Sequence, residues 1–209
     1  MDRTTAAIPC ATLIAWCLLC IPALAAEPTT PFKCTGPFGR DASHAKLAAT
    51  FGAGNAIIKY DDEFDAEVTV LFPNDPKRRL KVAWKDQKGR RGLGHVTIVG
   101  RSSWSVAGLM TGTPLAEAER LNGGPFKLNY FDGDYAGAIT SWLGGRFDKP
   151  LPGGCVLGAY ISIDDDHIPA EVSKAVDKEV MKDGSLLSSG VALRAAKPVV
   201  NSMIVSFPE

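Results

Sequence analysis

Apolar positions along this chain follow three rhythms, and each predicts a different kind of structure. Residues 8–24 form a nearly unbroken apolar run. From residue 41 the spacing becomes helical: Asp41 and Ser43 offer capping side chains, and Leu47, Ala48 and Phe51 recur on one helix face. Gly52 and Gly54 end that helix, because a C-cap needs a left-handed residue. The period then falls to two. Val68, Val70 and Phe72 alternate with Glu67, Thr69 and Leu71, and Leu80, Val82 and Trp84 alternate with Lys81, Ala83 and Lys85. Turn-forming residues at 73–76 and 88–92 bound these strands, and 95–99 reads as another.

The second half repeats the order. Thr113 caps a helix with Pro114 at its first position, Leu115, Ala118 and Leu121 form the stripe, and residues 122–124 stop it. Strands are predicted at 126–131, 136–142 and 156–163, then a helix at 169–181 and a last strand at 203–207 beyond Pro198. A 70-residue offset pairs Ser43 with Thr113, Ala48 with Ala118, Phe51 with Leu121, Gly54 with Gly124, Tyr60 with Tyr130 and Phe72 with Trp142. The expectation is an α+β fold: two helix-plus-antiparallel-meander units, 41–105 and 108–163, packed as one domain over 41–209 after an extended lead at 26–40, with an extra C-terminal helix and strand. Neither half is large enough to be comfortably stable alone.

The first apolar run has a different purpose. It follows a short polar start with Arg3 and ends in Ala23-Leu24-Ala25, the small-residue box that signal peptidase accepts. Residues 1–25 read as a secretory signal cleaved after Ala25, or one residue on after Ala26. The rival is an uncleaved anchor, for which the run lies near the lower length limit. Neither Cys17 nor Cys20 has the small-residue box of a lipoprotein. The expected location is the periplasm or the exterior, with no transmembrane segment in the mature chain.

Cleavage alters the composition. The 209 residues carry 23 Lys+Arg against 23 Asp+Glu. The leader holds one charge of each sign, Asp2 and Arg3, so 22 of each remain. A chain without basic excess lacks the electrostatic footprint of a general nucleic-acid binder. With 45% apolar residues it has material for a core, which argues against disorder. Of five cysteines, only Cys34 and Cys155 survive. In an oxidising compartment two cysteines most simply form one disulfide, closing a loop of about 120 residues. The alternative is two free thiols or a redox pair, although no Cys-x-x-Cys spacing is present.

The stretch Gly108-Leu-Met-Thr-Gly-Thr-Pro-Leu-Ala-Glu117-Ala-Glu-Arg-Leu121-Asn-Gly123-Gly-Pro125-Phe126 carries a glycine, a capped helix start, a glutamate and a Gly-x-Pro exit. It resembles the opening of the helix-plus-meander modules in small outer-membrane assembly lipoproteins of the BamE type and in β-lactamase inhibitor proteins. The chain as a whole also resembles exported bacterial proteins with a similar Pro-Gly-Gly-Cys segment. The resemblance covers about 20 residues and lacks the lipidated cysteine of the BamE type. It implies a protein that binds another envelope or secreted protein and does not catalyse.

Catalytic signatures are missing: no Gly-x-Ser-x-Gly, His-Glu-x-x-His, P-loop or dinucleotide fingerprint occurs, and nothing calls for a cofactor. Asp164, Asp166 and His167 form the one oxygen-and-imidazole cluster, a weak metal candidate that reads better as a solvated strand end. Asp132 and Asp134, beside Tyr135, have acid–base spacing, yet Asp-Gly is favoured in tight turns. They define a hydrolase alternative; a periplasmic small-ligand carrier is another. His44 and His95 read as ordinary surface residues. Trp84 and Trp142 fall on apolar strand phases and belong to the core. Trp104, among polar neighbours, is an interface candidate with Tyr135, Arg78 and Arg79. The basic runs 77–79 and 88–91 read as a solvated face.

Overall fold

The computed structural model describes residues 29–164 and 168–208. The signal-like segment at 1–25 lies outside them. The fold is mixed α+β, and its first half follows the sequence rhythm closely. Strand β1 (Thr30–Pro31) leads into α1 (His44–Phe51). The Ser43 hydroxyl caps α1 by accepting the Lys46 N–H, and Leu47 is fully buried beneath it. Strands β2 (Ala56–Asp61), β3 (Ala66–Leu71), β4 (Leu80–Asp86) and β5 (Arg91–Val99) then form an antiparallel meander, each paired with the one before. Leu71, Leu80, Val82, Trp84, Leu93, Val96 and Ile98 turn into the main core. In β3 this corrects the expected phase: Leu71 joins that core, while Val68 and Val70 lie on the opposite face in a separate cluster.

The second half departs from the expected plan. Strand β6 (Trp104–Ser105) pairs in parallel with β1. Helix α2 (Leu115–Asn122) starts one residue later than expected, and the Thr113 hydroxyl accepts the Met110 N–H instead of capping it. Next come β7 (Lys127–Asn129), β8 (Ile139–Ser141), β9 (Val156–Ser162), α3 (Ala170–Glu179), β10 (Ser185–Leu187), α4 (Val191–Ala195) and β11 (Val199–Ser206). The 70-residue offset brings α1, β2 and β3 onto α2, β7 and β8, but there the parallel stops. The sheet orders are β2-β3-β4-β5-β11-β9 and β10-β7-β8. No second meander forms among the described residues, because β9 keeps only an isolated bridge to the segment before β8, Ala138 to Tyr160, and pairs along its length with β11. The cause is β11, whose Met203 and Val205 are buried on the core side and which fills the gap between β5 and β9.

Polar side chains hold this half together. Glu119, in the middle of α2, is 8% exposed; it accepts the Ser188 hydroxyl at 2.6 Å and is ion-paired with Arg194 of α4. Ser188 in turn accepts the Phe126 N–H at 2.8 Å. Glu179 caps α4 by accepting the N–H groups of Ala192 and Leu193. Buried Asn122 donates to the Trp142 carbonyl and accepts the Phe147 N–H.

Cys34 and Cys155 meet as a disulfide pair across 121 residues, their Cα atoms 6.0 Å apart. Gly153 makes that approach feasible. Its φ is +98°, and a Cβ there would stand 2.4 Å from the Cys34 carbonyl oxygen. Among the described residues, no helix is long and apolar enough to cross a membrane.

Candidate functional site

The two faces of the six-stranded sheet differ. The buried apolar residues of the four described helices, Leu47, Leu115, Ala118, Val176 and Leu193, belong to the main core on one side. The other side carries a continuous cross-strand row: Ile57, Val70, Lys81, Thr97, Ile204 and Gly158, each paired with the next. A parallel row runs through Ala83, His95, Ser206 and Val156. Val99, Ser202 and Tyr160 form a third, with Val99 40% exposed and Tyr160 half-buried. Side chains on one face recur every second residue, so these rows share the outward side.

The β2–β3 turn folds over one end of this face. Phe64 places its ring edge-on to His95, centroids 4.8 Å apart, and with Ile57 packs against the cluster of Val68, Val70 and Ala83. Lys81 bridges Asp61 at 2.7 Å and Glu63 at 3.3 Å, with its ammonium 5.7 Å from the Phe64 ring. Burial alone would lower the Lys81 pKa, but the hydrogen bonds it donates to the two carboxylates, with their charges, outweigh it and raise the value. Burial also pushes the His95 pKa down, with Glu63 opposing. His95 Nε2, beside the Phe64 ring, and Thr97 Oγ1 are buried without a hydrogen-bond partner. His95 is therefore not the ordinary surface residue expected.

His44 is half-buried on the core side. Its Nδ1 lies 3.0 Å from Thr69 Oγ1, which also accepts the Trp84 indole N–H at 3.0 Å. Burial, seconded by the Arg90 charge, lowers the His44 pKa.

Trp104 overturns its expected surface role. It is 5% exposed, donates its indole N–H to the Arg78 carbonyl at 2.8 Å and packs edge-on against Phe32 and Phe38. Its polar neighbours misled, because Ser102 and Ser103 spend their hydroxyls on the Lys77 carbonyl. Trp84 and Trp142 are core residues, as the strand phase predicts. Arg78 and Arg79 stand at the surface but are tied locally: Arg78 pairs with Asp75 at 2.7 Å and lies 4.4 Å over Phe72, while Arg79 donates to the Pro73 carbonyl. In the second basic run, Arg90 pairs with Glu67 and Arg91 with Asp86. Tyr135 is 66% exposed. Asp132 and Asp134 point outward on the same β7–β8 turn, where Gly133 takes a φ of +71°. Both carboxylates are exposed on the kind of turn that Asp-Gly favours. Asp164 is exposed beyond β9, whereas Asp166 and His167 lie outside the described residues. Among the described residues, no three His, Cys, Asp or Glu side chains gather to hold a metal.

A second feature was not legible in the sequence. A groove of about 360 Å³ opens beside the disulfide, walled by Phe32, Ala107, Leu151 and Pro152 and flanked by Lys33 and Arg146. Its walls come from three distant segments, so no local periodicity announces it. Comparison with known proteins finds no matching family model, no matching curated protein and no matching solved structure.

Proposed function

We propose that this chain is an exported, non-catalytic binding protein that docks a protein partner on the outer face of its six-stranded sheet. The observation that carries the reading is the part of this face beyond the β2–β3 turn, where Val99 is 40% exposed and Ile204 and Tyr160 are half-buried, and no helix residue of the main core lies on that side among the described residues. Apolar side chains left at the surface of a sheet face mark interaction surfaces. The Cys34–Cys155 pair supports export, because such bonds persist in oxidising compartments. The resemblance to BamE-type and inhibitor modules supports a binding role, as does the small-residue box at Ala23–Ala25 for a cleaved leader.

Site-specific photo-crosslinkers at Val99 and Tyr160, in the exported protein in its native host, test this directly. The same partner is expected from both positions and not from Lys178 on α3, and Ile204→Glu should abolish it without lowering the melting temperature. Equal labelling from Lys178, or no reproducible adduct from the sheet positions, would overturn the reading.

A further inference from the structure

We propose that the groove beside the disulfide binds a medium-chain alkanoate, with the carboxylate between Lys33 and Arg146 and the tail along Phe32, Leu151 and Pro152. Charge is the first argument. Lys33 and Arg146 are the only charged residues lining the groove, and neither is ion-paired within the described residues. Arg146 is held beside the groove with its guanidinium 6.0 Å from the Phe147 ring centroid. The nearest acid in sequence is also engaged elsewhere, since Asp148 accepts the Gly144 N–H at 3.0 Å. Two cations without a carboxylate partner among the described residues, beside an apolar trough, suit a ligand with one anionic end and an aliphatic body.

Rigidity is the second argument. Lys33 sits between buried Phe32 and buried Cys34, and Arg146 precedes Phe147, which is 2% exposed. The opposite wall is pinned by the Leu151 N–H donating to the Cys155 carbonyl at 2.7 Å. Size then selects the occupant. A volume of about 360 Å³ lies at the low end of small-ligand sites, whereas a protein epitope covers roughly 800 Å² on each partner. This inference does not depend on the sheet-face reading.

Calorimetric titration of the oxidised protein with decanoate tests it, with decyltrimethylammonium and a Leu-Leu dipeptide carboxylate as comparison ligands. Saturable one-to-one binding of decanoate is expected, with no binding of the cationic amphiphile. The double variant K33E/R146E should weaken decanoate by about tenfold or more. Thr35→Trp, placed at the mouth, should block it. Should the double variant unfold, Lys33→Gln alone carries the charge test with a smaller loss. No saturable binding, equal uptake of the cationic amphiphile, or affinity unchanged by the charge variants would overturn the proposal. Tighter binding of the dipeptide would replace the alkanoate by a peptide end and overturn it as stated. Photo-crosslinking through Val99 should be untouched by K33E/R146E, so the two readings fail separately.

Discussion

The meander β2–β5 and the segment from α2 to β11 reach the same compactness by opposite means. In the meander, consecutive strands pair across short turns, and apolar alternation supplies nearly all the burial. In the later segment, pairing skips along the chain: β11 meets β5 and β9, and β10 meets β7. There the joints are side-chain hydrogen bonds between residues far apart in sequence, such as Glu119 with Ser188 and Arg194. Local order needs only a repeating pattern. Long-range order needs individually placed polar groups, which lose far more when one partner is removed.

The largest expected effect comes from cutting the covalent tie between the segment ahead of α1 and the later region. Replacing Cys34 and Cys155 together by serine should lower unfolding free energy by about 4–5 kcal/mol in the chain-entropy account of a loop this long. Denaturant titration measures it, and a loss near zero would mean that the pair does not constrain the unfolded chain. Next, Glu119→Ala should cost about 2 kcal/mol, mainly through the stranded Ser188 hydroxyl, since Arg194 is half in solvent. Hydrogen exchange should show the protection lost first in β10 and α4 and last in β3 and β4. Uniform loss would erase the distinction between the regions.

The smallest effect concerns His95. Its folded pKa is depressed by burial, so the folded state holds fewer protons than the unfolded state in the window just below about 6.5. Stability from neutral His95 is therefore full above that value and is lost as pH falls through the folded pKa. Melting temperature should drop over this window, and His95→Gln should flatten the drop. His44, depressed in the same direction, will retain part of it. An unchanged slope in the variant would remove His95 from the account.

The legible parts of the fold were those written in short-range rhythm. Ser43 as cap, Leu47 as buried stripe, the Leu80–Trp84 phase and the Gly123 helix stop could all be read from neighbours within four residues. The expectation of a second meander was misplaced because β7 and β8 look like strands in any sheet, and only β11 decides which sheet β9 joins. Trp104 went astray for a related reason. Polar flanks signal exposure only when their hydroxyls reach water, and here they bond to Lys77. Strand β2 was missed although Ile57 and Ile58 precede a turn-rich 61–65, because Lys59 and Tyr60 interrupt the alternation. The groove had no sequence signature at all.

The position of β11 also governs when this molecule becomes a structure. It is the last strand along the chain, yet it sits inside the six-stranded sheet, between β5 and β9. Until it arrives, β5 and β9 are open edges, and the disulfide partners have no common frame to hold them. The six-stranded sheet therefore stays unlocked until β11 is in place, at the cost of exposing two sticky edges in the interval.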